Sequence, residues 1–185
     1  MEYFSLIQKY ISPEKNPLAY RIYVVHVTLV TQKALKIAEH FSLSREDLTF
    51  LEEASMLHDI GICRVHDPEI GCYGELPYIQ HVVEGGKILR EEGYPRHARV
   101  AETHTGVGIL AGEIQEKQLP LPEQDYVPQD RIAEIISFAD LFFSKSPEKI
   151  WREKTWNEVQ TEIGRYGVWH TQRLQAWGET YLPFS

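Results

Sequence analysis

The segment Phe50–Gly61 decides the fold, and it reads Phe-Leu-Glu-Glu-Ala-Ser-Met-Leu-His-Asp-Ile-Gly. Its apolar side is formed by Leu48, Leu51 and Ala54. This spacing predicts an amphipathic helix that carries His58 on its core-facing side, with Asp59 about 100° further round. Burying a carboxylate without a partner is costly in free energy. We therefore expect a cation to face Asp59, and a metal ion would also use the histidine.

A second His-Asp pair, His66-Asp67, provides an internal comparison. Pro68 follows it directly and favours an extended backbone at the aspartate, within a stretch rich in turn residues. This pair is predicted to lie in a loop, whereas His58-Asp59 ends a helix that Gly61 is expected to stop. A His-Asp pair alone is more often a cap or an ion-pair partner than a metal ligand, so the assignment needs further residues.

Length and composition predict one cytoplasmic domain spanning residues 1–185. The net charge of −8 and the lack of a Lys/Arg cluster argue against a dedicated nucleic-acid surface and against binding to an anionic membrane. No apolar run approaches about 18 residues, and the N-terminus lacks the pattern of a signal peptide. Cys63 and Cys72 are too few for a disulfide framework and are expected to be free thiols.

The remaining sequence predicts a series of helices. Apolar periodicity predicts a short helix over residues 2–11 and a long one over 18–41, and Ser44-Arg45-Glu46-Asp47 resembles a capping box for the helix that ends at His58. Turn residues dominate 62–78, which is predicted to be a loop. Further helices are predicted around His81, after Pro95 and over 132–140. Ser146-Pro147-Glu148 is predicted to cap the last helical region, and most of the tryptophans there are expected in the core: Trp151, Trp156, Trp169 and Trp177.

Four histidines and two aspartates fall on the inward faces of five predicted helices: His26, His58, Asp59, His81, His104 and Asp140. Each could be a hydrogen-bonded core residue, but each of the six would then need its own buried hydrogen-bond partners. One or two metal ions satisfy all six. Mixed imidazole and carboxylate ligands suit iron, manganese, zinc, nickel or cobalt better than calcium or magnesium. Three other histidines do not fit the pattern and are expected at the surface: His40, His97 and His170.

The order of these six residues resembles the HD-domain superfamily, and His58-Asp59-Ile60-Gly61 matches its HDIG variant. The resemblance covers about residues 20–145 and leaves 146–185 as a C-terminal extension. Segments His81–Arg90 and Glu102–Gly106 resemble those that supply further histidines in the binuclear branches. The chain is similar to a group of small uncharacterised HD phosphohydrolases of archaea and bacteria. It departs from many HDIG proteins at Ile62, where they carry lysine.

The resemblance implies an all-α bundle of at least five core helices with additional N- and C-terminal helices. It implies one metal held by His26, His58, Asp59 and Asp140, and a second, bridged by Asp59, held by His81 and His104. Iron or manganese would be expected, with nickel, cobalt or zinc as further candidates. Within this set Asp59 and His58 are the predicted catalytic pair. Three nearby side chains are predicted to bind substrate phosphate: Arg64, His66 and Lys87.

Three functions remain open at this point. The first is a metal-dependent phosphohydrolase, either a phosphatase or a phosphodiesterase, that attacks a small nucleotide or other phosphate ester with metal-activated water. The second is a diiron oxygenase of the HD type that acts on a small polyol or phosphonate. The third, disfavoured because none of the six ligand positions is missing, is an inactive binding or signalling module. The sequence is compatible with a homodimer.

Overall fold

Residues 2–185 are described by a computed structural model, and their regular structure is almost entirely helical, as predicted. The only strands within this range are two of two residues each, His66–Asp67 and Cys72–Tyr73, which pair in an antiparallel hairpin. The α-helices of the described residues are α1 (Tyr3–Tyr10), α2 (Pro17–Ala38), α3 (Arg45–Leu57), α4 (His81–Glu91), α5 (Pro95–Thr103), α6 (Ala111–Glu116), α7 (Arg131–Asp140), α8 (Trp156–Gly164) and α9 (Val168–Tyr181).

Side-chain caps fix where the central helices begin. Asn16 precedes Pro17 and its side chain accepts a hydrogen bond from the amide of Ala19, so α2 starts with both a cap and a favourable proline. Ser44 accepts from the amide of Asp47 at the start of α3, as the sequence predicted. The predicted cap at 146–148 is wrong, because those residues lie outside any helix. Instead Thr155 and Glu158 form the capping box of α8.

Helix α2 runs through the centre of the molecule and packs against α3 and α7. Its C-terminal half contributes to a core cluster with α7, α8 and α9, while its N-terminal half contributes to a second cluster with α1, α4 and α5. The changeover falls between Val27 and Val30. His26 therefore projects from the part of α2 where the two clusters meet, and the metal centre described below is built at this junction.

The segment between α3 and α4 is more ordered than the predicted loop. It contains the hairpin and three 3-10 helices, at Ile60–Arg64, Pro68–Ile70 and Tyr78–Gln80. Gly61 does not cap α3, which ends at Leu57, and its backbone is not in the left-handed region. It lies instead inside the first 3-10 helix, which packs directly against α4.

Two of the histidines expected at the surface are buried. The ring of His97 lies 3.3 Å from a carboxylate oxygen of Glu53, and that of His170 lies 3.1 Å from Glu113. A carboxylate partner satisfies each ring, so burial needs no metal there. His40 is exposed, as expected.

The tryptophans and cysteines follow the predictions with one exception. Trp177 is buried, while Trp156 and Trp169 pack against the core. Trp151, in contrast, is 73% exposed. Cys63 and Cys72 are free thiols. No helix among residues 2–185 is both long enough and apolar enough to cross a bilayer.

Candidate metal centre

The structure brings the six predicted ligands to one place from five helices. His26 projects from the middle of α2, while Asp140 is the last residue of α7. The others lie at or just beyond helix ends: His58 and Asp59 follow α3, His81 begins α4 and His104 follows α5. The four imidazoles and Asp59 are between 0% and 2% exposed, and the side chain of Asp140 is 14% exposed. Their role as metal ligands stays a prediction, but the geometry supports it.

Three of the histidine rings are fixed by the helical turn that precedes them. The Nδ1–H groups of His58, His81 and His104 donate to the backbone carbonyls three residues earlier, at 2.6, 2.7 and 2.8 Å. A carbonyl only accepts, so in each ring the proton lies on Nδ1 when the imidazole is neutral. The Nε2 lone pairs are therefore free and point to the centre, which is the arrangement found in metal-binding histidines.

Asp59 lies between two groups of imidazoles. Its Oδ1 is 3.5 Å from His81 Nε2 and 3.4 Å from His104 Nε2. Its Oδ2 is 3.3 Å from His26 Nε2 and 3.5 Å from His58 Nε2. One carboxylate thus presents a different oxygen to each pair of histidines, as a bridging ligand would.

A second carboxylate completes the first group. Asp140 Oδ1 is 2.9 Å from His26 Nε2 and 3.5 Å from His58 Nε2. The ligand atoms of His26, His58 and Asp140 lie within 4.8 Å of one another, and so do those of His58, Asp59 and His104. In the second group His81 and His104 bring their Nε2 atoms to 3.3 Å. Two facing lone pairs repel unless a cation or a proton lies between them.

The donor set fits divalent transition-metal ions because several of its buried polar atoms have no hydrogen-bond partner. Among residues 2–185, the buried side-chain atoms without a hydrogen bond include Oδ1 of Asp59, Oδ1 of Asp140, Nε2 of His58 and both ring nitrogens of His26. Buried polar groups are normally satisfied, so this concentration at one place indicates a site for cations. Imidazole nitrogens with carboxylates match the preferences of iron, manganese, zinc, nickel and cobalt.

Sequence reasoning missed Lys145, which follows α7 in an irregular segment. Its ammonium lies 2.6 Å from Oδ2 of Asp59. Burial would raise the pKa of Asp59, but Lys145 and then His58 outweigh it and hold that pKa well below its usual range. Burial would likewise raise the pKa of Asp140, but the charge of Lys145 outweighs it and holds that pKa well below its usual range. Both carboxylates are therefore ionised at neutral pH.

The same pairing keeps Lys145 charged. Burial would lower the pKa of its ammonium, but the carboxylate of Asp59 and the neighbouring Tyr78 and Asp140 raise it well above the usual value. In His81, burial lowers the pKa to about 3, although Asp59 opposes this. A neutral imidazole is the form that binds a metal.

The three predicted phosphate-binding residues lie apart from this cluster. All three side chains are exposed. Lys87 pairs with Glu84 at 2.6 Å, and His66 contacts the carbonyl of Gly74 at 3.2 Å. The charge of Arg64 acts on the pKa values of Tyr10 and Cys63, which belong to the surface near α1. No contact joins any of the three to the six ligands among the described residues, and their role in phosphate binding stays a prediction.

A cavity of about 530 Å³ lies beside the metal centre. Thr105 forms part of its wall, and the Thr105 hydroxyl is 3.5 Å from His81 Nε2. The opposite wall comes from α6, α8 and α9, so the C-terminal helices shape the space next to the centre. Apolar side chains on its walls are Ile79, Val107, Ile109, Leu119 and Ile163, and polar ones include Lys117, Arg165, Tyr166 and His170.

Residues 23–143 match the model of the HD domain family. The match covers most of the chain and includes all six clustered residues. The chain therefore belongs to the HD domain family, as the order of its histidines and aspartates predicted.

Two curated proteins resemble parts of the chain. A tRNA (cytidine(56)-2'-O)-methyltransferase from Picrophilus torridus is 30% identical over 127 residues, which are 68% of this chain and 33% of that protein. An uncharacterised protein from Methanocaldococcus jannaschii is 37% identical over 95 residues, or 51% of this chain and 48% of that protein. The chain thus spans about a third and about half of these relatives.

Among solved structures, the crystal structure of the HD domain of the L. monocytogenes phosphodiesterase PgpH shares the fold. The TM-score is 0.56, with 18% sequence identity, and the likeness covers 96% of this chain and 95% of the other. The likeness therefore extends beyond the family match into the C-terminal helices.

Proposed function

We propose that this protein is a metal-dependent phosphohydrolase that acts on a small nucleotide or another phosphate ester. The observation that carries the proposal is the placement of Asp59, whose two oxygens face two separate pairs of buried imidazoles. Membership in the HD domain family and a fold shared with a phosphodiesterase domain support it further.

His26, His58, Asp59 and Asp140 would hold one ion, and His81 and His104, with Asp59, would hold a second. When bound, such ions activate water for attack on phosphorus and offset the charge of the phosphoryl oxygens. The chain contributes rigid ligands. The bonds from Nδ1 of three histidines to backbone carbonyls fix the ring orientations before any ion binds.

The adjacent cavity gives the organic part of the ester a place next to the phosphate. Its volume of about 530 Å³ falls within the range of small-molecule sites, roughly 300–1,000 Å³. Its mixture of aliphatic walls with Tyr166, Lys117 and Arg165 suits a flat ring with polar edges, as in a nucleoside. Thr105 would lie between this part and the metal centre.

The test is hydrolysis without oxygen. Protein purified without chelator and analysed for metals is incubated anaerobically with nucleoside mono-, di- and triphosphates, dinucleoside polyphosphates and cyclic nucleotides. Phosphate or nucleotide products are measured with iron, manganese, nickel, cobalt or zinc added. We expect turnover that a chelator abolishes and that metal restores. No turnover on this panel, together with oxygen consumption by the diiron form with a polyol or phosphonate, would replace the proposal with the oxygenase. Inactivity in both assays would favour the binding module.

A further inference from the structure

The metal centre opens to solvent on one side. The four imidazoles and Asp59 are almost fully buried, whereas the side chains of Asp140 and Lys145 keep 14% and 15% of their surface exposed. These two residues therefore mark the mouth of the centre. An anion that approaches from this side meets the Lys145 ammonium.

The ammonium of Lys145 is already positioned by two neighbours. One is Asp59, at 2.6 Å, and the other is Tyr78, where burial raises the pKa of the hydroxyl and the nearby ammonium opposes that rise. Tyr78 is itself fixed to the site, because its backbone carbonyl accepts the Nδ1–H of His81. A lysine ammonium has three N–H donors. One of them faces Asp59, which leaves N–H donors for an anion at the mouth.

The charges favour a phosphate at this position. Asp59 and Asp140 bring two negative charges, and Lys145 brings one positive charge. Two divalent cations shared among these carboxylates would leave the site positive, and the ammonium would then no longer be needed to neutralise Asp59. A phosphate ester carries the complementary charge, and a charge-assisted hydrogen bond to it is stronger than one between neutral groups.

We propose that Lys145 is the residue of this chain that binds the phosphoryl oxygens of the substrate at the mouth of the metal centre. The inference rests on the proposed function and adds a phosphate-binding residue to those predicted, Arg64, His66 and Lys87. Its basis is the direct contact between the ammonium and Asp59. Lys145 also follows the last residue of α7 by five positions and lies outside any helix, so its position is set by contacts at the site.

The test uses orthophosphate as the probe on the metal-loaded full chain. Lys145→Met removes the charge with little change in volume, and Lys145→Arg keeps the charge. Lys33→Met is the matched control, because Lys33 is also a buried lysine in an ion pair, with Glu153 at 2.7 Å, but lies outside the site. Metal content and thermal unfolding are measured for every variant, and orthophosphate affinity is measured by calorimetry.

We expect Lys145→Met to retain its metal content and to bind orthophosphate about ten- to a hundred-fold more weakly. Lys145→Arg should recover part of the affinity. Lys33→Met should bind orthophosphate as the native protein does. Native affinity in metal-loaded Lys145→Met would overturn the proposal. The proposal would also be overturned if Lys145→Met lost part of its ions while the sites that remain loaded bound orthophosphate with native affinity. The lysine would then contribute to metal binding and not to phosphate binding.

The failure of this inference can be told apart from failure of the proposed function. Binding of orthophosphate needs no turnover, so affinity that depends on Lys145 in a protein that hydrolyses no ester would refute only the hydrolase. Conversely, native protein that hydrolyses esters, with kcat/KM unchanged in Lys145→Met, would refute only the role of the lysine.

Discussion

Gly61 packs so closely against α4 that a Cβ atom on it would lie 2.0 Å from the carbonyl oxygen of His81 and 2.5 Å from the amide nitrogen of Gly85. Both are backbone atoms, which cannot move aside as a flexible side chain can. The contact joins the 3-10 helix after Asp59 to the first turn of α4, which carries His81. The glycine of the His-Asp-Ile-Gly segment therefore sets the distance between two predicted metal ligands.

Gly61→Ala should separate these two elements. We expect a loss of at least about 2 kcal/mol in the free energy of unfolding, because overpacking against backbone forces the helices apart. Denaturant unfolding of the metal-free protein measures it. Gly112→Ala is the control, since a Cβ there meets nothing within 4 Å, and it should leave the stability unchanged or raise it by up to about 1 kcal/mol. Equal stability of the two variants would contradict the packing argument.

Asp59→Ala should lose most of the bound metal, because both groups of histidines share that carboxylate. Elemental analysis of protein purified without chelator measures the ions per chain, and up to two are expected in the native protein. The metal-free variant should remain folded, because the substitution removes a buried charge. The same substitution leaves Lys145 without its closest carboxylate. Full occupancy with native activity in Asp59→Ala would refute the central assignment.

His104→Ala should retain about one ion, because His26, His58, Asp59 and Asp140 remain to hold it. His97→Ala is a matched control: this histidine is also buried, but it pairs with Glu53 outside the centre. It should keep the native metal content. If His104→Ala lost both ions equally, the two metal sites would not be separable as proposed. The reason would be the closeness of His104 to His58, whose ring centroids are 4.7 Å apart.

Much of this centre could be predicted from local patterns, because each ligand lies in or beside an amphipathic helix. The spacing of Leu51, Ala54 and His58 sets the inward face of α3, and a buried Asp59 required a cation by charge alone. That cation is in part Lys145, which lies 86 positions further along the chain. It belongs to an irregular segment without periodicity, so no pattern assigned it a direction.

The same limit explains why the segment after α3 differs from the predicted loop. Arg64 and His66 are close to His58 in sequence, but the 3-10 helix and the hairpin turn their side chains to the surface. Gly61 looked like a helix stop because glycine often ends helices. Its actual requirement is a long-range contact with α4. Proximity in sequence predicts position well inside a helix and poorly across turns.

The two thiols should react slowly at neutral pH. Burial raises the pKa of Cys63 to about 11 and that of Cys72 to about 12, and only the thiolate is nucleophilic. The reaction rate with an aromatic disulfide reagent should therefore rise about tenfold per pH unit from pH 7 to 9.5 in the native protein. In denaturant it should level off near the ordinary thiol pKa of about 8.5. The single variants Cys72→Ser and Cys63→Ser show which reaction rate belongs to which thiol. A rate that levels off near pH 8.5 in the native state would contradict the burial argument.

Tyr166→Ala should weaken the binding of substrates with a large organic group and leave the binding of small substrates unaffected. Tyr166 belongs to the wall of the cavity beside Thr105, yet its side chain is 58% exposed, so its removal should cost little stability. Stacking of a ring on an aromatic side chain is worth about 1–3 kcal/mol in nucleic-acid complexes, so KM for a nucleotide should rise about five- to a hundred-fold. For a phosphate ester of a short alcohol, the ratio of the variant KM to the native KM should stay near one, because such an ester does not reach the cavity.

Tyr73→Ala is the matched control for this change. Tyr73 is also exposed, at 70%, but it belongs to the wall of a different cavity near α1. It should leave both KM values unchanged. Metal content should be native in both variants, since neither tyrosine contacts a ligand. If Tyr166→Ala raised KM for both esters equally, or for neither, the organic part of the substrate would lie elsewhere, and the C-terminal helices would not determine which esters this centre accepts.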